Sequence, residues 1–481
     1  MSILENVPFD LLQPILIHLL DRRHLSAAAL VSQAFNRAAT PLLYRRLYSQ
    51  VKRNTLHHPS ATILKRPELA KYVWHVTETG AVQNLRQVIP QITEDIVAAL
   101  RLCTNLTSAT WVDDTLTPEA NFLPILDVLM TLPLQELTIR TQYDPGERVW
   151  ARLNTIQGIR RLSVWSLEWG PPRVLQGWAD LLSSSLTHLE LCRCAGVPAT
   201  ILISVFMKLP LLQELCLKGA PSDAIPAIMA CLPNLIALDT EYLGSGNYRT
   251  PLTPLPPLQR LTVRTGSVDI LGPQKLWTWM RILLPHQQTL KSFTLNAFAV
   301  HGQMTIPRPF IVNLTGRHGK SLQEFAVGIA QLTLEVVSHM CSTCPQLASL
   351  ECSVASPDVD SIAKAIEAGH NLRTLKLHVS WIPDGSVDLP SQFDKYFSGP
   401  QAMYADVSHL AREGKTIRFT EEHASALMLQ TRLRSISIGD QSYIGQWVRR
   451  GCSAEVTRDV GQEENVVFEV VGDVTSLDPF V

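Results

Sequence analysis

Four side chains in one short stretch are of the types that could hold a metal: His339, Cys341 and Cys344 in "HMCSTC", followed by Cys352. Imidazole and thiolate are the donors that zinc takes, and a structural zinc site needs four of them converging on one point. Here three would sit at the end of a helix and the fourth on the next strand. Small cysteines filling an apolar interior account for the same residues, so no metal is assigned. Elsewhere the chain has no G-x-S-x-G, no Gly-rich phosphate loop and no H-E-x-x-H, and its histidines are dispersed. The expectation is a chain that catalyses nothing and carries no cofactor.

The cysteines themselves point the same way. Nine is an odd number, they follow no framework, and a reducing cytoplasm or nucleus fits them best. In "CRC" at 192–194, one thiol is expected on a strand face and the other inside. The sequons at Asn105 and Asn313 then read as accidents of composition. Lys plus Arg (42) balances Asp plus Glu (43), which argues against a general nucleic-acid binder. No apolar run approaches the roughly 18 residues that span a bilayer, and Glu5 near the start is unlike a secretory signal.

What must position any functional side chain is a repeat. L-x-x-L-x-L or a near variant appears as "VWHVTE" at 73, "LTSATW" at 106, "LQELTI" at 134, "IRRLSV" at 159, "LTHLEL" at 186, "LQELCL" at 212 and "LIALDT" at 235. It continues as "LQRLTV" at 258, "LKSFTL" at 290, "LQEFAV" at 322, "LASLEC" at 347, "LRTLKL" at 372 and "LRSISI" at 433. Most starts lie 23 to 32 residues apart, enough for a short strand, a return helix and two loops. Segments such as "PEANFLPILDVLMTLP", "PATILISVFMKLP", "PSDAIPAIMACLP" and "PDVDSIAKAIEAGH" carry apolar residues near i, i+3, i+4 and i+7 and supply the helix. Pro210, Pro233 and Pro345 end three such segments before the next strand. Ser356 is expected to cap the last of the four helices, with Pro357 as its first residue.

These strings resemble leucine-rich repeats, which implies a solenoid of stacked strand–helix units. The family's polar ladder residue is matched only by Cys194; the equivalent positions elsewhere include Ala220, Leu243 and Phe298, so an irregular array is expected. Gly- and Pro-rich stretches near 242–257 and 380–401 read as protruding loops.

Residues 7–48 do not share the repeat. They read as three short helices: a stripe of Leu11, Leu12, Ile15, Leu16 and Leu19, then Leu25 to Val31, then a helix capped by Ser32 and containing Phe35, with Thr40-Pro41 starting a further turn. Pro14 is tolerable there only in a first turn. So small a domain buries too little apolar surface alone, and a partner or a neighbouring repeat must cover the surplus. The order Val7-Pro8, Leu11-Leu12, Ile15-Leu16, Leu25, Val31-Ser32, Phe35, Leu43-Tyr44 resembles the F-box, with Val7 and Phe35 in place of the usual Leu and Trp. The resemblance implies docking to the Skp adaptor, and through it to a cullin, by Pro8, Leu11, Leu12, Ile15, Leu16, Val31 and Phe35. A bundle that merely caps the first repeat is the other reading.

The expected fold is therefore α/β: a three-helix F-box-like module (1–50), a linker (51–68), an irregular leucine-rich-repeat solenoid (69–440) and a C-terminal cap (441–481) in which Val467, Phe468 and Val470 pack inward or pair at the edge. Strand alternation places Arg140, Arg161, Trp165, His188, Glu190, Glu214, Lys218, Asp239, Glu241, Arg260 and Arg264 on the open strand face. Read in order they make a mostly acidic centre between basic flanks, a stripe suited to orienting an unknown target protein; any solvated strand face also shows mixed charge. The function this implies is the substrate receptor of a Skp–cullin–F-box ubiquitin ligase in cytoplasm or nucleus, without nucleic acid or membrane as partner. A non-degradative interaction scaffold is the alternative.

Overall fold

The computed structural model describes residues 8–19, 21–52, 55–113, 115–116, 118–166, 177–244, 254–266, 272–297, 305–381, 419–449 and 466–472. The chain divides into two compact units, Met1–Leu235 and Ile236–Val481.

The first unit opens with α1 (Phe9–Leu16), α2 (Arg22–Ala29) and α3 (Gln33–Leu43). Asp21 caps α2 by accepting from the Arg23 amide at 2.7 Å, and Ser32 caps α3 by accepting from the Phe35 amide at 3.3 Å. Two proline expectations fail. Because α1 begins at Phe9, Pro14 falls in its second turn, and the helix closes beyond it with Ile17 N donating to Gln13 O at 3.0 Å. Nor does Thr40-Pro41 start a new turn: α3 runs straight through Pro41, with the Thr40 hydroxyl donating to Asn36 O at 2.7 Å just ahead of the missing N–H.

After α3 the chain enters the sheet directly. β1 (Arg46–Tyr48) pairs in parallel with β4 (His75–Thr79), and Leu47 is buried in that pairing. Between them, over much of 51–68, lie a small hairpin of β2 (Gln50–Lys52) and β3 (Thr55–His57), then α4 (Ser60–Lys65). A tight helical turn at Pro67–Tyr72 follows and packs against α3.

From β4 onward strand and helix alternate: α5 (Gly80–Gln83), α6 (Ile92–Leu102), β5 (Ser108–Asp113), α7 (Pro118–Leu129), β6 (Glu136–Thr141), α8 (Glu147–Leu153) and β7 (Arg161–Ser166). Then come α9 (Trp178–Leu182), β8 (His188–Leu191), α10 (Ala199–Phe206), β9 (Glu214–Leu217) and α11 (Ala224–Ala230). The strands form one parallel sheet in the order β1-β4-β5-β6-β7-β8-β9. Each parallel step needs a crossover, and the return helices supply it.

Register explains the leucines. Val76, Ala109, Leu137, Leu162, Leu189 and Leu215 stand side by side across six strands, all buried, because every second side chain of a strand shares a face. The return helices turn Phe122, Ile125, Leu202, Phe206, Ile225 and Ile228 into the same interior. Stacking is held by a repeated backbone device: one carbonyl at each strand entry accepts two amides of the next repeat, as Thr107 O does from Gln135 and Glu136, and Gln135 O from Arg160 and Arg161. Asn234 reaches back one repeat to Pro210 O, and Asn105, the first sequon, does the same to Lys71 O.

The second unit repeats the plan. Its elements are β10 (Ala237–Glu241), β11 (Arg260–Thr265), α12 (Gly272–Leu283), β12 (Ser292–Ala297), α13 (Arg308–His318), β13 (Glu324–Leu332), α14 (Leu334–Thr343), β14 (Ser349–Ser356), α15 (Val359–Ile366) and β15 (Thr374–Trp381). It ends with α16 (Glu421–Gln430), β16 (Ser435–Ile438), β17 (Gln441–Arg449) and β18 (Val466–Gly472). Leu238, Leu261, Phe293, Phe325, Leu350, Leu375 and Ile436 form its buried column. Between β13 and β14 the register shifts from Ala326 to Gln331, and Gly328 takes the positive φ (53°) in that stretch.

β10 to β16 are parallel, whereas β17 and β18 pair antiparallel, Phe468 opposite Trp447 and Val470 opposite Gly445. The helix expected after Ser356 starts later: α15 begins at Val359 and Asp358 is its cap, accepting from the Ser361 amide at 2.7 Å. Of the loops expected near 242–257 and 380–401, residues 245–253 and 382–401 lie outside the described residues, as does Phe298.

The irregular ladder has a physical form. Cys194 is buried, and so is Ala220, while Leu243 is exposed. Several strands instead run one residue further inward and bury Asp113, Thr141 or Thr265 at their ends. Asp113 lies so close to Gly80 that a Cβ there would stand 1.9 Å from its Oδ1, so only glycine opens α5.

Candidate interaction surfaces

The three-helix module has a closed core of its own. Leu12 and Leu16 (2% and 3% exposed) pack with Leu25, Ala29, Ala38 and Ala39, and Phe35 is half-buried against them. Leu12 and Leu16 therefore support the surface from beneath, while Pro8, Leu11, Ile15 and Val31 lie on it. Leu11 and Ile15, 52% and 54% exposed, are one turn apart on α1; Leu30 and Val31, at 87% and 60%, mark the turn from α2 to α3. Phe9 and Ile17 are also exposed, which the sequence reading had not singled out.

On the open strand face of the first unit, the singled-out residues form a connected set. Arg140 and Trp165 are register partners, with the guanidinium 5.2 Å from the indole centroid. Lys218, just past the end of β9, brings Nζ within 4.3 Å of the same ring. The indole N–H donates to Ser163 Oγ at 3.0 Å, and Ser163 donates to Glu190 Oε2 at 2.6 Å. Beside this, Arg161 meets Glu136 at 3.4 Å and His188 Nε2 meets Glu214 Oε1 at 3.4 Å. Burial holds the His188 imidazole below its usual pKa despite the neighbouring Glu214.

In the second unit, Arg264 grips Asp239 with two bonds of 2.9 and 2.8 Å, and Glu241 stands opposite Arg264 in the register. Arg260 is exposed at the start of β11. The acidic residues of the stripe are thus engaged rather than bare: Glu190 by Ser163, Glu214 by His188, Asp239 by Arg264. Glu136, Ser163, Glu351 and Lys376 belong to the same face and were not singled out; Lys376 Nζ lies 2.9 Å from Glu351 Oε1. All four occupy the third or fifth place of their L-x-x-L-x-L string, so the rule that found the others finds them too.

The candidate zinc ligands sit elsewhere. His339 Nε2 pairs with Thr315 Oγ1 at 3.1 Å, while Cys341, Cys344 and Cys352 are buried. Desolvation pushes the Cys341 thiol up to about 12 and raises Cys352 as well, as burial in an apolar interior requires. Among the described residues no group of three or more His, Cys, Asp or Glu side chains is placed to hold a metal, and no helix is long and apolar enough to cross a membrane. The described cysteines are free thiols; Cys452 lies outside the described residues.

What the registers define is an α/β repeat protein, parallel strands alternating with return helices, consistent with leucine-rich-repeat construction. No protein-family model matches the chain, and no curated protein does. One solved structure that it resembles is a crystal structure of a TLR13–ssRNA13 complex, at 15% identity and a TM-score of 0.32, over 70% of this chain and 55% of that one. The chain thus spans about half the length of that protein. At that overlap the likeness adds nothing to what the strand registers already establish.

Proposed function

We propose that this chain is a substrate receptor of a Skp–cullin–F-box ubiquitin ligase, with the helical module docking to the Skp adaptor and the repeats holding a target protein. The observation that carries the reading is the contrast within α1: Leu12 and Leu16 complete the module's core, yet Leu11 and Ile15 on the same helix stay half in solvent. Exposed apolar side chains grouped on a small helical module favour a protein partner. Covering what remains exposed of these two is worth about 2 kcal/mol together. The order of residues from Pro8 to Tyr44 that resembles the F-box selects the adaptor as that partner.

In this reading the chain forms no covalent bond. It raises the effective concentration of target lysines near a ubiquitin-loaded enzyme, so geometry rather than a catalytic side chain accelerates transfer. The cytoplasm or nucleus is where such a complex would act.

The test is capture of purified Skp adaptor and cullin by the full chain. Ile15→Asp, at an exposed position, should cut adaptor capture at least tenfold and leave the melting transition in place, whereas Leu16→Asp should disrupt the module itself. Adaptor capture that survives Ile15→Asp, or no capture by the unaltered chain, sinks the proposal. Adaptor bound without cullin favours the non-degradative scaffold.

A further inference from the structure

The cations astride Trp165 differ from three other cations of the strand face. Arg161, His188 and Arg264 each face a carboxylate. Arg140 and Lys218 face none among the described residues; what they share is the indole between them, at 5.2 and 4.3 Å. That ring is fixed in turn, because its N–H is bonded to Ser163 and Ser163 to Glu190. Two long side chains that would otherwise sample many rotamers are thereby held at set positions with their charges unspent. Glu190 is the one carboxylate in the set, and Ser163 holds one of its oxygens at 2.6 Å.

We infer that Arg140, Trp165 and Lys218 form a docking point for carboxylate side chains of an acidic peptide segment. Charge complementarity selects the occupant: two preorganised cations beside a half-buried aromatic favour anionic oxygens over neutral or basic groups. The ring faces are already taken by the cations, so the ligand meets the outer sides of Arg140 and Lys218 and Trp165 acts as a positioning residue. The inference rests on the reading that the repeats hold a target and names the chemistry of its contact; it does not require adaptor docking.

The probe is a fluorescein-labelled peptide of alternating Asp and Ser, compared by anisotropy with its Asn/Ser and phosphoserine counterparts on the full chain. The Asp peptide should bind more tightly than the Asn peptide, with affinity falling as salt rises. Arg140→Gln and Lys218→Gln should each weaken it about tenfold, and Trp165→Leu should weaken it while leaving both charges present. Arg140→Lys with Lys218→Arg should retain most binding, and Lys208→Gln, remote on the helix side, should change nothing. Equal binding of Asp and Asn peptides, or an Arg140→Gln/Lys218→Gln chain that binds as the unaltered one does, overturns the inference. Binding of the phosphoserine peptide alone overturns the carboxylate assignment. Adaptor capture measured on the same double variant should be unchanged, so loss of the acidic-peptide site and failure of the adaptor reading are distinguishable.

Discussion

Glu78 occupies the sixth place of "VWHVTE", where strand alternation asks for an aliphatic side chain, and it is buried with one hydrogen bond, from Ser49 Oγ at 2.8 Å. Desolvation lifts its pKa from 4.5 to about 8. An unfolded chain ionises this carboxyl above 4.5 while the folded chain holds its proton until about 8, so the first unit should lose stability as pH rises between those values. Glu78→Gln should erase that slope and gain on the order of 4 kcal/mol near pH 8, read by urea unfolding at the two ends of the window. His318 has the opposite sign. Burial lowers it from 6.5 to about 4, so the unfolded chain takes up a proton that the folded one refuses, and the second unit should lose stability as pH falls through that range. His318→Leu should remove the acid lability, worth about 3 kcal/mol near pH 4 in the same measurement. Both positions were readable as inward-facing, Glu78 from the period of two and His318 from its four-residue spacing behind Phe310 and Leu314. What the pattern does not carry is the protonation state, which depends on how completely the neighbouring repeats exclude water.

At the scale of elements, each L-x-x-L-x-L string runs into a strand that begins at its third place, because apolar alternation and the need to cover it by stacking point to the same conformation. Boundaries were harder to read, and α15 shows why. Ser356 and Asp358 flank Pro357, and both are good caps; the choice turns on β14, which runs on to Ser356 and buries it as the strand's last inward residue. Ser356 then donates to Asp358 O at 2.8 Å, leaving the Asp358 carboxylate to accept from Ser361. That backbone bond holds the Asp358 carboxyl below its usual pKa. Asp358→Ala should cost about 1 kcal/mol in urea unfolding, with earlier amide exchange in the first turn of α15. Pro14 and Pro41 misled in a similar way: a proline forbids one intrahelical bond, not the helix, when tertiary contacts hold the turns on either side.

Across the whole molecule, the alternation told which side chains face out but not which long side chain leans toward which neighbour: Arg161–Glu136 are direct register partners, whereas Arg264 passes over its register partner Glu241 to the diagonal Asp239. The same register governs how damage spreads. Phe293 and Phe325 are fully buried and stack at 5.5 Å in adjacent repeats of the second unit. Truncating Phe325 to Ala removes the ring's transfer energy and leaves a void, a loss of roughly 3–5 kcal/mol. In a repeat array each unit touches only its neighbours, so that loss should open a local stretch rather than the chain. Hydrogen exchange should therefore quicken in β12, β13 and β14, fall off toward β16, and stay unchanged in β4 to β9 of the first unit, while capture of the Skp adaptor by the helical module is retained. Uniformly faster exchange in both units would show that the repeats unfold as one cooperative body, and the separation of a docking module from a target-holding array would then need another physical basis.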